Sequence, residues 1–285
     1  PIDKDKVAEN PGLLPYPHHV GGIVIKPEDT GKIKFTKMKD KISFKNVSFS
    51  YTKNVEVLKN INFEIKKGES VAFVGATGSG KSTIINLLSR FYEIDRGNIL
   101  IDGNNLRDFE LDSLRKNTGV VLQDVYLFND TVLNNITLNN PEISFENVKE
   151  ATLQIGLMDY IQSLPGGFNY VVTERGQSLS AGQRQLIAFI RAFVYQPKVF
   201  ILDEATATID TPTELLIQKA VEKISSGRTS IIIAHRLSTI KNANKIIVFD
   251  KGEVVEQGDI PTLLNTNSRF KKLYDMQSGI ETINP

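Results

Sequence analysis

Residues Gly75-Ala76-Thr77-Gly78-Ser79-Gly80-Lys81-Ser82-Thr83 match the pattern G-x-x-x-x-G-K-[ST] from end to end. In such a run the glycines let the backbone curl around an anion with successive N–H groups pointing inward, where a Cβ would collide with phosphate oxygens. Lys81 adds a mobile positive charge. Ser82 sets a hydroxyl where a phosphate-bound Mg²⁺ would take it as a ligand, and a helix starting here aims its positive end at the same point. The chemistry within reach is the holding of a nucleotide's phosphates. Farther along, Lys198-Val199-Phe200-Ile201-Leu202-Asp203-Glu204 is an apolar run ending in two carboxylates. Asp203 suits a water-mediated hold on Mg²⁺, and Glu204, one residue later, can polarise an attacking water. Ser230-Ile231-Ile232-Ile233-Ala234-His235 repeats the design with a histidine, which reads as a γ-phosphate sensor or, more simply, as the cap of a neighbouring helix.

The elements that must position these groups alternate along the chain. Ser70 to Val74 reads as a buried strand running into Gly75, and Ile84, Ile85, Leu87, Leu88 and Phe91 recur at helical spacing after it. Strands are expected at Ile42–Phe49, Asn60–Ile65, Asn98–Ile101 (followed by an Asp102-Gly103 turn), Gly119–Leu122, Val199–Leu202, Ser230–Ala234 and Lys245–Phe249. From about Asp124 to Arg191 the spacing turns helical, with Val148, Ala151 and Ile155 on one face and Met158, Ile161 and Leu164 repeating it. Helices are also expected at Thr213–Ile224 and Phe270–Gln277. The pattern predicts a largely parallel α/β sheet interrupted by a helical insertion. In such sheets ligands bind beyond the carboxyl ends of strands, so Asp203 and Glu204 are expected to emerge beside the phosphate loop, on a strand that neighbours the one ending in His235.

With 34 Lys plus Arg against 33 Asp plus Glu, the net charge of +1 offers no bulk attraction for nucleic acid or an anionic membrane. The absence of Cys excludes disulfides, thiolate catalysis and Cys-ligated zinc, and suits a reducing compartment. No apolar run approaches the roughly 18 residues that a spanning helix needs. Residues 1–40 read as a linker punctuated by Pro11, Gly12, Pro15, Pro17, Gly21 and Gly22; the adjacent His18 and His19 lack a third ligand at a useful spacing. The chain begins at Pro1 rather than Met, which is expected of a piece of a longer polypeptide.

A second anion site is written at Leu179-Ser180-Ala181-Gly182-Gln183, where small residues open an amphipathic helix carrying Leu186, Ile187, Phe189, Ile190 and Phe193. One nucleotide cannot fill two separate cradles. If both are used, the second closes on a nucleotide held by another subunit, and the working unit is a dimer.

With these motifs in place, residues 41 to 278 resemble the ATP-binding cassette (ABC) ATPases. The resemblance implies a P-loop (RecA-like) α/β fold with a mostly parallel sheet, an N-terminal antiparallel β subdomain and an inserted α-helical subdomain. It divides the chain into a linker (1–40) following a membrane domain and a nucleotide-binding domain (41–285), with an α/β core over 41–123 and 192–285 and a helical subdomain over 124–191. It implies ATP and Mg²⁺ as ligands, Tyr51 as the aromatic that stacks on adenine, and Gly75 to Thr83, including Ala76, Thr77, Gly78, Ser79 and Gly80, as the phosphate cradle. Gln123 senses Mg²⁺ and water, Ser82, Gln123 and Asp203 hold the metal, and Glu204, His235, Gln123 and Lys81 act in hydrolysis. Leu179 to Gln183 is the signature that acts in trans, and Asp210 stands in the loop that crosses to the partner. The segment 124–136 (Asp124-Val125-Tyr126-Leu127-Phe128 onward) and Thr173-Glu174-Arg175-Gly176 are similar to the exporter branch, in which the first meets transmembrane domains and the cassette lies at the cytoplasmic face of a membrane. Two features depart from the common pattern. Ala181 replaces the usual signature glycine, and the Ala207-Thr208-Ile209 loop with the Arg184-to-Phe189 run resembles exporters that pair two different halves, so both a homodimer and a heterodimer are open. A cassette working on nucleic acid would call for coiled-coil insertions or basic stretches, which the sequence lacks.

Overall fold

The computed structural model describes residues 31–53, 55–173, 176–203, 209–234, 237–266 and 268–277. The first long hairpin, β1 (Lys41–Thr52) and β2 (Val55–Lys66), sets Phe44 opposite Phe63, and their rings stack at 4.4 Å. Both strands run past the expected Ile42–Phe49 and Asn60–Ile65, because backbone pairing continues beyond the apolar alternation to Thr52 opposite Val55. Next come β3 (Ser70–Val74), α1 (Lys81–Leu88), β4 (Arg96–Ile101), β5 (Asn104–Asn105), α2 (Leu111–Lys116) and β6 (Thr118–Val121). The inserted region holds β7 (Asp130–Thr131), α3 (Val132–Thr137), α4 (Phe145–Gln154), α5 (Met158–Ser163), β8 (Val171–Val172) and the long α6 (Ala181–Val194). The remainder is β9 (Val199–Asp203), α7 (Thr211–Ser225), β10 (Thr229–Ile233), α8 (Leu237–Ile240), β11 (Lys245–Asp250), β12 (Glu253–Gly258), α9 (Ile260–Leu264) and α10 (Arg269–Gln277).

These elements form an antiparallel sheet ordered β2-β1-β4-β5 and a six-stranded sheet ordered β12-β11-β3-β10-β9-β6. In the larger sheet only β12 runs antiparallel. Residues 70–74 are buried at every position, as a strand covered on both faces must be, and period-2 alternation divides their side chains between two cores. Val71 and Phe73 join Ile201, Ile231 and Phe249 against α1 and the antiparallel sheet. Ala72 and Val74 join Leu202, Ile232 and Val248 against α6, α7 and the inserted helices. This double coverage fixes β3, β10 and β9 in register, with Ile233 opposite Asp203, so the predicted neighbours are paired strands.

Several short pieces were not anticipated, among them the helices α2 and α9, the strand β12 and the β7–β8 ladder. The strand β12 alternates exposed and half-buried positions in Glu253-Val254-Val255-Glu256-Gln257-Gly258, the pattern of an edge with one face in water. The small β7–β8 ladder is two residues per strand, too short to carry a period.

A fully buried asparagine organises the inserted region. The Asn135 Oδ1 accepts from the Phe128 backbone N–H at 2.7 Å, and its Nδ2 donates to the carbonyls of Phe128 (3.0 Å) and Thr131 (3.0 Å). The Asn135 carbonyl in turn accepts from Arg191 Nε at 2.8 Å, which ties this loop to α6. Replacing Asn135 by Ala leaves several of these buried groups unpaired and is expected to lower the unfolding free energy by about 2–3 kcal/mol. Urea denaturation of Asn135→Ala beside the wild type measures it; an unchanged midpoint would contradict the clamp.

Candidate nucleotide site

The phosphate loop starts where β3 ends against β11. Gly75 has φ +146°, and a Cβ there would stand 2.1 Å from the Phe249 carbonyl oxygen. At Gly80 a Cβ would meet Leu58 Cδ2 at 2.5 Å, whereas nothing lies within 4 Å at Gly78. The first and last of these glycines thus answer to the protein's own packing and to their positive φ, in addition to the room expected for phosphate oxygens. No side chain caps α1 and its first turn carries no acid, so the positive helix end is offered to whatever occupies the loop.

Lys81 is buried. Its Nζ donates to the carbonyls of Gly75 (2.8 Å) and Ala76 (2.9 Å) on the loop itself. Burial pushes its pKa down, and the nearby Asp203 charge opposes that. Ser82 Oγ donates to Asp203 Oδ2 at 3.1 Å, joining the loop to the end of β9. Asp203 is only 7 % exposed, and burial raises its carboxyl above the ordinary aspartate value while Ser82 and Lys81 pull it back. These groups line a cleft of about 360 Å³ with Gln123, just beyond β6, and Tyr51, near the end of β1, at its walls. A hydroxyl, a carboxylate and an amide around one cleft are the hard oxygen donors that suit Mg²⁺, which takes one or two protein oxygens together with phosphate oxygens. Among the described residues no group of three or more His, Cys, Asp or Glu side chains converges. Glu204 and His235 lie outside the described residues, as do Glu174, Arg175 and residues 205–208.

The signature residues lie apart from this cleft. Ser180 caps α6: its Oγ accepts from the Gln183 N–H at 3.2 Å, and Gln183 Oε1 accepts from the Ser180 N–H at 2.9 Å. Gly182 sits so close to the start of α7 that a Cβ would reach Thr213 Cγ2 at 2.6 Å and Ile209 Cγ2 at 2.9 Å. Leu179 is buried beneath the helix start and Ala181 is half-buried. Asp210 caps α7 by accepting from the Thr213 N–H at 3.0 Å, a bond that lowers its pKa. Thus one chain brings Tyr51, Lys81, Ser82, Gln123 and Asp203 together, and packs Gly182 against Ile209, the neighbour of Asp210, as a separate unit. Leu58 and Phe249, which support the loop, went unread because their contacts cross about 20 and 170 positions of sequence, and loops buried against distant strands leave no local period.

A family model described as ABC transporter matches residues 58–207. The chain belongs to the ABC transporter family. It is 46% identical over 252 residues to a probable multidrug resistance ABC transporter ATP-binding/permease protein of Bacillus subtilis, covering 88% of this chain and 37% of that protein. It is 47% identical over 256 residues to an ATP-dependent lipid A-core flippase of Haemophilus influenzae, covering 89% of this chain and 44% of that protein. The chain thus spans less than half the length of these relatives. Among solved structures, a bacterial Atm1-family ABC exporter with ATP bound superposes with a TM-score of 0.81 at 38% identity, over 87% of this chain and 44% of the other. The ABC fold and its antiparallel and parallel sheets agree with that expected from the motifs.

The raised Asp203 value gives a pH signature. A carboxyl whose folded pKa lies above its unfolded value contributes fold stability that is fully present below the unfolded pKa and is lost as the pH rises through the folded one. Metal holding runs the other way, since it needs the ionised form. Wild type is expected to bind Mg-ADP about tenfold or more tightly than Asp203→Asn at neutral pH. That advantage disappears as the pH falls through a midpoint above that of an ordinary aspartate. Calorimetric titration across pH checks it; a constant ratio would remove Asp203 from the metal site.

Proposed function

We propose that this domain is the ATP-hydrolysing motor of an ABC exporter, closing as a dimer with ATP between two such domains. The observation that supports the reading is the separation of two helix starts: α1 opens on the cleft with Lys81, Ser82 and Asp203, while Ser180 to Gln183, which open α6, are absent from the lining of that cleft. Each can meet a nucleotide's phosphates only if the second belongs to another subunit, either a copy or a related half.

In this reading Tyr51 stacks the adenine, and the N–H groups of Gly75 to Thr83 with Lys81 hold the phosphates. Lys81 exchanges its two loop carbonyls for phosphate oxygens, so its buried charge gains a counter-charge. Ser82, Gln123 and Asp203 would hold Mg²⁺, which would supply positive charge against the phosphates. Glu204 orients the attacking water and His235 steadies the γ-phosphate, while the partner's signature helix closes over it. The reading extends to a membrane partner at the cytoplasmic face. Phe128 is 45 % exposed and packs edge-to-face with Tyr126 at 5.1 Å, and Tyr126 and Asn135 present their carbonyls to Arg191 of the signature helix. An apolar pair so anchored is suited to receive a transmembrane domain's loop and relay its movement to α6.

Light scattering of wild type and Glu204→Gln at saturating Mg-ATP tests this. The variant is expected to double in mass and to lose turnover by a factor of about a hundred or more. A variant that binds nucleotide yet stays monomeric, alone and with a candidate second half, would contradict it.

A further inference from the structure

The hydroxyl of Tyr51 occupies a defined polar seat. It accepts from Asn86 Nδ2 at 3.0 Å and donates to Thr83 Oγ1 at 3.2 Å, so a chain of hydrogen bonds crosses one turn of α1 through the phenol. The ring is bracketed by Phe49, perpendicular at 86° with centroids 4.8 Å apart, and by Tyr92, at 87° and 5.0 Å. Yet Tyr51 stays 36 % exposed at the mouth of the cleft. A tyrosine near a strand end ordinarily keeps freedom about both side-chain torsions. Here the ring is fixed at its root by β1 and at its tip by α1, the helix that begins in the phosphate loop.

We infer that Asn86 is a positioning residue for the base of the nucleotide: with Thr83 it holds the Tyr51 ring at a set distance and tilt from the phosphate loop. The inference rests on Tyr51 being the adenine platform. Its physical content is preorganisation. An untied ring must be ordered each time a base stacks on it, and ordering one side chain costs about three- to tenfold in affinity. Asn86 sits three residues after Thr83, so the two share one helix face, and the platform is built from the same helix turn as the phosphate site. The groups act on the base, because the Tyr51 hydroxyl meets Thr83 at its side-chain Oγ1 and not at its backbone N–H, and neither hydrogen bond touches Lys81, Ser82 or Asp203.

Calorimetric titration with Mg-ADP and with Mg-pyrophosphate separates base from phosphate binding. Asn86→Ala and Tyr51→Phe are each expected to weaken Mg-ADP about three- to tenfold, leave Mg-pyrophosphate unchanged, and combine with no further loss. Tyr51→Phe keeps the ring and carries the test should Asn86→Ala fail to fold. If Tyr51→Ala weakens Mg-ADP while Asn86→Ala and Tyr51→Phe do not, the platform stands and the positioning role is overturned. Equal weakening of both ligands by Asn86→Ala, or additive losses in the double variant, overturns it as well. If Tyr51→Ala leaves Mg-ADP unchanged, the platform reading itself fails.

Discussion

The close approach of Gly75 to the Phe249 carbonyl is the contact on which the nucleotide site depends. It lets the loop leave β3 directly against the end of β11, with no side chain between them. From there the loop is tied outward: the Gly252 N–H donates to the Ser79 carbonyl at 3.2 Å, and the Gly252 carbonyl accepts from the Lys59 N–H at 2.8 Å. The turn after β11 thereby joins the phosphate loop to β2. A substitution at Gly75 would push apart two central strands of the sheet, and with them the parallel register that delivers Asp203 to Ser82.

Around that fixed backbone the site carries electrostatic cost. Lys81 and Asp203 are both buried, and burial works against the charge of each. The loop carbonyls, the Ser82 hydroxyl and the mutual attraction of the two charges offset this in part. In the proposed complex a Mg-nucleotide would supply phosphate to the ammonium and metal to the carboxylate, so that ligand binding would relieve what folding imposes. At α6, Ser180 and Gln183 cap their own helix through their acceptor oxygens.

Much of this was legible in sequence because it is local or periodic. The phosphate loop is a contiguous pattern, β3, β9 and β10 are unbroken apolar runs, and the rule that ligands sit beyond strand ends placed Asp203 beside Ser82. The packing constraint on the glycines was not legible: Gly75, Gly80 and Gly182 meet Phe249, Leu58 and Thr213, which lie far off along the chain. Edge strand β12 was hidden by its polar alternation. The roles of Asn86 and Asn135 were hidden for a different reason. An asparagine in a helix advertises no partner, and only the folded chain shows that one fastens Tyr51 and the other the loop beneath α6.

The central claim is that the loop, Lys81 and Asp203 form one Mg-nucleotide site. It is tested most directly by calorimetric titration of Mg-ADP into wild type and Lys81→Met, with the fold of both verified by thermal melting. Loss of a charge-assisted contact to phosphate predicts a drop in affinity of about tenfold to a hundredfold in a folded variant. A folded Lys81→Met domain that binds Mg-ADP as tightly as the wild type would contradict the account.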